Sequence, residues 1–120
     1  MSKSAVVIKG DGTGPELVDA MVNVLQECHS KIDLIPCDAG SEWWTKNGGS
    51  SYISEEVWKL LENSDACFKG PTTTIPTPNA PRSVAVSIRQ KFNLYANVRP
   101  IKTYKNSSHQ LDFVCIREAT

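Results

Sequence analysis

Lys9-Gly-Asp-Gly-Thr-Gly-Pro-Glu16 stands between an apolar run and a helical pattern, and sixty residues later the chain reads Lys69-Gly-Pro-Thr-Thr-Thr74. Each loop leaves backbone N–H groups with little side-chain cover at a strand end, where anions are readily bound. Arg82, Ser83, Arg89, Arg99 and Arg117 follow in the last third. Two such loops with these arginines point to a site for phosphates or carboxylates. The chain reads as half of that site.

Outward from the first loop, strand and helix alternate. Residues 5–9 are a short β-branched run, and a helix starts at about Pro15, where proline's missing N–H would have been unpaired in any case. Leu17, Met21, Val24, Leu25 and Cys28 recur at helical spacing and predict one apolar stripe. Residues 32–37 read as a second strand, and residues 40–49, with Trp43 and Trp44, as a looser segment. Ser54 is a fair N-cap for a helix whose first turn carries Glu55 and Glu56, and Ile53 could staple onto Trp58. Val57, Leu60 and Leu61 continue the buried face. Residues 65–69 are a third strand, ending in the second loop. Prolines at 71, 76, 78 and 81 exclude a helix there. Helical spacing returns over 83–92 through Val84, Ile88 and Phe92, and residues 94–101 and 112–116 read as strands around a polar stretch. This order predicts an α/β layer structure with a largely parallel sheet. The last strand runs into Arg117-Glu-Ala-Thr120 with no helix to cover the sheet, so the chain reads as a fragment.

Composition bounds the partners. The chain has 120 residues, room for one small domain. Thirteen basic residues balance thirteen acidic ones, so no global field favours nucleic acid or an anionic membrane, and each arginine must act locally. No run approaches the roughly 18 apolar residues of a membrane span, and the N-terminus turns polar too soon for a secretory signal. The expected location is cytoplasmic. Cys28, Cys37, Cys67 and Cys115 are too far apart in sequence for a zinc or redox motif; the last three, in or beside apolar runs, read as small buried hydrophobes. His29 and His109, without partners at ligand spacing, read as structural or solvent-facing.

The first loop alone is ambiguous. Its spacing is G-x-G-x-G, without the third glycine of the dinucleotide fingerprint, although Asp38 could mimic the ribose-binding acid. It reads equally as a tight turn with positive φ. The second loop and its sequel say more in combination. A hydroxy di- or tricarboxylate needs several guanidinium groups, each binding a carboxylate through two parallel hydrogen bonds. Ser83 falls at a helix N-cap, where hydroxyl and amides can both reach an anion. Arg89 shares a helix face with residue 85, and Arg99 and Arg117 close two strands.

Five segments, in order, resemble the N-terminal third of the isocitrate/isopropylmalate dehydrogenase family, the metal-dependent β-decarboxylating dehydrogenases. They are Lys9-Gly-Asp-Gly-Thr-Gly-Pro-Glu16, Asp65-Ala-Cys-Phe-Lys-Gly-Pro-Thr-Thr-Thr74, Arg82-Ser-Val-Ala-Val-Ser-Ile-Arg-Gln90, Leu94-Tyr-Ala-Asn-Val-Arg-Pro100 and Val114-Cys-Ile-Arg-Glu118. The resemblance covers essentially the whole chain. It implies that family's α/β fold, not a Rossmann domain, with two domains around a cleft: residues 1–100 would be the N-terminal part of the first and residues 101–120 the truncated start of the second. It implies an oxidoreductase that passes hydride from a 2-hydroxy acid to NAD or NADP. Mg²⁺ or Mn²⁺ then polarises the new carbonyl so that CO₂ leaves. Carried over by position, Ser83, Arg89, Arg99 and Arg117 grip the substrate carboxylates. Lys69, Thr73 and Thr74 meet substrate and the nicotinamide end, and Gly12 and Gly14 lie near the cofactor. The resemblance puts the proton-transferring residues and metal ligands beyond Thr120, so no catalytic or metal-binding residue is named here, and the chain alone should be inactive. The full-length form is expected to be a homodimer acting on a small hydroxy acid.

Within the family, Arg82-Ser83 favours isocitrate, whereas Ala85 stands where isocitrate enzymes usually carry asparagine and keeps homoisocitrate and 3-isopropylmalate open. Thr72-Thr-Thr-Ile-Pro76 suggests one extra residue in the substrate loop, and Ala119 replaces a common asparagine. A non-catalytic regulatory subunit is a further alternative, disfavoured by the intact arginine set. A small independent anion-binding module is another.

Overall fold

A computed structural model describes residues 3–119; Met1, Ser2 and Thr120, with which the Arg117-Glu-Ala-Thr120 segment ends, lie outside the described residues. The elements are β1 (Lys3–Ile8), α1 (Gly14–Glu27), β2 (Ile32–Cys37), α2 (Ser41–Asn47), α3 (Glu55–Glu62), β3 (Ala66–Lys69), α4 (Val84–Lys91), β4 (Ala96–Lys102) and β5 (Asp112–Glu118). They divide into two compact units, Met1–Ala85 and Val86–Thr120.

The first unit is the expected parallel α/β layer. Its sheet has the order β2-β1-β3, with Val6 opposite Ile35 on one side and Cys67 on the other. Ala5, Val6, Val7 and Ile8 are all buried, as a central parallel strand covered on both faces requires. Val18 from α1, Val57 and Leu61 from α3, and Tyr52, Ile53 and Val84 complete the core. Pro36 sits on an edge strand, where its missing N–H costs no ladder bond.

Two local expectations are corrected. The buried line of α1 is Gly14 and Val18, with Met21 and Leu25 half-buried, while Leu17 (57% exposed) and Val24 (62%) face outward. Gly14 sets this rotation, because its backbone lies so close to the Lys9 carbonyl that any Cβ would overlap it. Residues 41–47 form a helix where a looser segment was expected, since its start is capped by a side chain thirty residues away. Other readings hold. Pro15 stands in the first turn of α1, and the Ser54 hydroxyl accepts a hydrogen bond from the Val57 N–H at 3.2 Å. His29 (φ 51°) ends α1 in the left-handed conformation, with its N–H and that of Ser30 returning to the carbonyls of Gln26 and Leu25.

In the second unit α4 ends in a turn at Asn93 (φ 50°), and β4 pairs with β5. That pairing is antiparallel, which corrects the extension of the parallel sheet to these strands. The reason is the short connection over 103–111: a parallel return needs a crossover of about a dozen residues or more. Val98, Val114 and Ile116 are exposed on this ribbon, and so is Cys115, against the buried-thiol reading. Cys67 is exposed too, whereas Cys37 is half-buried.

The entry to the first sheet is pinned by one carboxylate. Lys3 Nζ donates to Asp65 Oδ1 at 2.6 Å and the Ser4 N–H donates to Oδ2 at 2.9 Å. Chiefly the Lys3 hydrogen bond, and then the Ser4 amide, holds the Asp65 carboxyl below its ordinary 3.8. A folded pKa below the unfolded one stabilises above the unfolded value, and the gain is lost as pH falls through the folded value. Asp65→Asn should therefore lower resistance to urea at pH 7. The gap to the wild type should close by about pH 2, where both forms are neutral. A gap that stays constant from pH 7 to pH 2 would show that the charge contributes nothing.

Candidate functional site

Because β1 and β3 are parallel neighbours, Ile8 stands opposite Lys69 and the two loops leave the sheet side by side. They sit at the carboxyl ends of the strands, where open α/β sheets carry their ligand sites. The Gly70 N–H donates to the Ile8 carbonyl and the Asp11 N–H to the Pro71 carbonyl, both at 2.8 Å. Gly10 has φ +80°, and a Cβ there would fall on the Pro71 carbonyl oxygen. Only glycine allows this contact.

Asp11, 4% exposed, is the centre of the joint. Its Oδ1 accepts from the Glu42 N–H at 2.8 Å, and its Oδ2 accepts from the Ser41 N–H at 3.1 Å and the Thr73 N–H at 2.6 Å. Glu42 returns the favour to the loop, with Oε1 accepting the Gly12 N–H at 2.8 Å, and the Gly14 N–H is taken by the Asp11 carbonyl at 2.9 Å. The amides of residues 11, 12 and 14 thus already have acceptors within the chain. The reading of this loop as a cradle of uncovered N–H donors is corrected accordingly. Gly12 is nevertheless exposed, with open space where a Cβ would stand.

The second loop is held in the same way. Lys69 Nζ donates to the Gly70 carbonyl at 2.7 Å and reaches Thr72 Oγ1 at 3.5 Å. Thr73 hangs by its amide from Asp11, and the Ile75 N–H donates to the buried Tyr52 hydroxyl at 3.1 Å. Thr73 and Thr74 themselves are exposed. The fold therefore brings Lys69, Thr73, Thr74, Gly12 and Gly14 into one cluster of loops. Ser83, half-buried, stands immediately before α4 in the first unit.

Arg89, Arg99 and Arg117 belong to the second unit. Arg89 is half-buried on α4. Arg117 lies opposite Asn97, and Arg99 lies two residues further along β4, opposite Cys115. Directly opposed residues share a face, so the two arginines are diagonal neighbours on one face of the ribbon. Arg99 Nε donates to Asn97 Oδ1 at 3.0 Å, which steadies one guanidinium.

A cleft of about 370 Å³ beside the glycine loop is lined by Lys9, Asp38, Glu42, Trp43 and Lys46, among others; of the residues singled out in the sequence for binding, Asp38 lines it, and none of those expected to hold substrate or cofactor from the resemblance does. Its charges are mixed, and Lys9 is already paired with Asp19 at 2.8 Å. Among the described residues no three of His, Cys, Asp and Glu gather in a group that could hold a metal ion. No helix among them is long and apolar enough to cross a membrane. The Cys37 thiol is pushed up to about 11, mainly by burial and further by neighbouring Cys67 and Asp38. Sequence reasoning missed Asp11, Glu42 and Tyr52. Only the placing of Asp11 between two glycines hinted that this carboxylate would be enclosed.

A parallel α/β layer whose loops are joined at the strand ends is the architecture of an open-sheet α/β protein. Comparison with known proteins narrows that class. The family model for isocitrate/isopropylmalate dehydrogenase matches residues 4–120, and the chain belongs to that family. It is 35% identical over 79% of its length to an isocitrate dehydrogenase [NADP] of Rickettsia typhi, covering 19% of that protein. It is 33% identical over its full length to a 3-isopropylmalate dehydrogenase of Lactococcus lactis, covering 39%. Among solved structures, isocitrate dehydrogenase from Methylococcus capsulatus aligns over 98% of this chain and 35% of its own, at 33% identity and TM-score 0.84. A beta-decarboxylating dehydrogenase from Thermococcus kodakarensis gives TM-score 0.83 at 30% identity, over 98% and 34%. The chain thus spans about a fifth to two fifths of the relatives it matches, and the expected family and fold are borne out.

The two glycines separate strain from collision. Gly10→Ala should cost about 2–4 kcal/mol, from positive φ and overlap with Pro71 together. Gly12→Ala, with φ +59° but open space, should cost about 1 kcal/mol. Equal losses in urea unfolding would show that the Pro71 contact is unimportant. For the thiols, a short iodoacetamide pulse at pH 8 should label exposed Cys28 and Cys115 and spare Cys37, which is only about one part in a thousand thiolate there. Mass spectrometry finding Cys37 labelled at the same rate would contradict this.

Proposed function

We propose that the full-length protein oxidatively decarboxylates isocitrate to 2-oxoglutarate. The observation that carries the substrate class is the pair Arg99 and Arg117, diagonal neighbours on one face of β4 and β5, and Arg82-Ser83 ahead of α4 favours isocitrate within that class. Two guanidiniums at that spacing suit a substrate with more than one carboxylate, each able to take two parallel N–H···O bonds. Family membership supplies the reaction class.

On this reading Ser83, Arg89, Arg99 and Arg117 bind the hydroxy acid and fix its orientation. Lys69, Thr73 and Thr74 border the place where substrate and nicotinamide meet, and Gly12 and Gly14 lie near the cofactor. When bound, NAD or NADP would supply a hydride acceptor and Mg²⁺ or Mn²⁺ a Lewis acid for the new carbonyl. The described residues offer no grouped metal ligands, so no step is assigned to the metal within this chain. Residues 1–100 belong to the first domain of the full-length protein and residues 101–120 begin its second. That protein works in the cytoplasm as a homodimer.

Ala85 favours a second reading, in which a longer or more apolar hydroxy acid, homoisocitrate or 3-isopropylmalate, is the substrate. Steady-state assay of the full-length protein on the three acids, with Mg²⁺ and each cofactor, decides between them. Isocitrate is expected to give the highest kcat/KM, and a preference for 3-isopropylmalate would overturn the first reading. Arg117→Lys should raise the KM for the acid roughly 10- to 100-fold, because lysine keeps the charge but loses the paired geometry. An unchanged KM would remove Arg117 from the binding set.

A further inference from the structure

We infer that Asp11 and Tyr52 are positioning residues for the loop over residues 70–75. They hold from behind the segment that the proposed function puts in front of substrate and cofactor, and the inference rests on that reading.

Among the described residues the loop has no strand partner beyond Gly70. Its backbone contacts nevertheless follow strand logic. The Pro71 carbonyl accepts from the Asp11 N–H, the Thr73 N–H donates to the Asp11 carboxylate, and the Ile75 N–H donates to the Tyr52 hydroxyl. Residues 71, 73 and 75 alternate as in an extended chain, where the polar groups of every second residue share one side. Two buried side chains therefore do for this segment what an adjacent strand would do.

Both supports are themselves fixed. Tyr52 is 1% exposed, its ring meets Trp44 edge-on with centroids 5.7 Å apart, and its carbonyl accepts the Gly40 N–H at 3.0 Å. The Asp11 carboxylate is gripped by the first two amides of α2. Gly40 (φ +127°) comes so near that a Cβ there would stand 2.5 Å from Oδ2. Neither side chain can shift without moving α2. Position is therefore transmitted to Thr73 and Thr74 from elements that need not touch a ligand. Pro71 lacks an N–H donor and the Gly70 N–H is taken by the Ile8 carbonyl, so within residues 70–75 only Thr72 and Thr74 offer further amides.

Tyr52→Phe in the full-length protein is the test, since it removes one hydroxyl and keeps the ring. Ile53→Val, in the same core but with no bond to the loop, serves as the control for general stability. With Tyr52→Phe, hydrogen exchange at the Ile75 amide should speed up at least about tenfold, and kcat/KM for the hydroxy acid should fall roughly 3- to 10-fold. The control should move neither at a temperature where both variants are fully folded. Asp11→Asn should act in the same direction at the loop or at α2. An amide oxygen can face the Thr73 and Ser41 donors or the Glu42 donor, but not all three. Unchanged exchange at Ile75, or faster exchange with unchanged kcat/KM, would overturn the positioning role. A wild-type protein inactive on every hydroxy acid would refute the functional reading instead, and Ile75 exchange would still report whether the hydroxyl holds the loop.

Discussion

A buried carboxylate with three backbone amides on it is the interaction on which the loop end of the first unit's sheet depends. Asp11 reaches Ser41 and Glu42 at the start of α2 and Thr73 in the second loop, so one side chain joins three segments far apart in sequence. Burying an ionised carboxylate is costly unless donors replace its water. Here the donors are amides that would otherwise lack partners: two at a helix start and one in a loop. The exchange satisfies both sides, and the short 2.6 Å contact to Thr73 fits a charge-assisted bond. Neutral partners would not do this as well. An asparagine oxygen could not face all three donors, and an alanine would leave them unpaired in a buried joint.

The central strand explains why the joint can be rigid. β1 is buried along Ala5 to Ile8 and hydrogen-bonded on both sides, so its carboxyl end is the best-anchored point of the sheet. Asp11 follows three residues after that strand, and Lys69 ends the strand beside it. Loops that leave such a frame inherit its position only if something ties their backbones to it. Gly10 makes the tie sterically possible by bringing its backbone against Pro71. Asp11 and Tyr52 then supply the polar contacts.

Much of this was legible in the sequence because its causes are local. Pro15 in the first turn of α1, Ser54 as a cap and the unbroken apolar run of β1 each act within a few residues, and each stands as read. What escaped depends on distance. At seven residues α2 is too short to be expected from propensity, since nucleation is unfavourable, and its cap comes from Asp11 rather than from its own flank. The rotation of α1 follows a backbone contact at Gly14 that no hydrophobic periodicity encodes. The antiparallel return of β5 was in principle readable, because the connection over 103–111 is too short for a crossover. As for the expected site, the family motifs marked the loops, but not that the first loop's amides are already engaged. That depends on Glu42 and Asp11 meeting it in space.

The choice of substrate has to rest on very few positions. Relatives called isocitrate dehydrogenase and 3-isopropylmalate dehydrogenase match this chain at 35% and 33% identity, so overall likeness does not separate them. Both classes of acid present carboxylates, and a pair of arginines on one ribbon face would serve either. The discriminating contact must lie where the acids differ, at the third carboxylate or the apolar group in its place. On the proposed reading that part faces the start of α4, where Ser83 offers a hydroxyl and Ala85 offers only a methyl group. A hydroxyl can bind a carboxylate, but a site that hydrogen-bonds a polar group discriminates strongly only when its absence leaves buried polar groups unpaired. Ser83 is only half-buried, so on that reading the penalty for an apolar substrate there would be modest. On that reading the arginines would set the class of ligand, and a single turn of helix the preference within it.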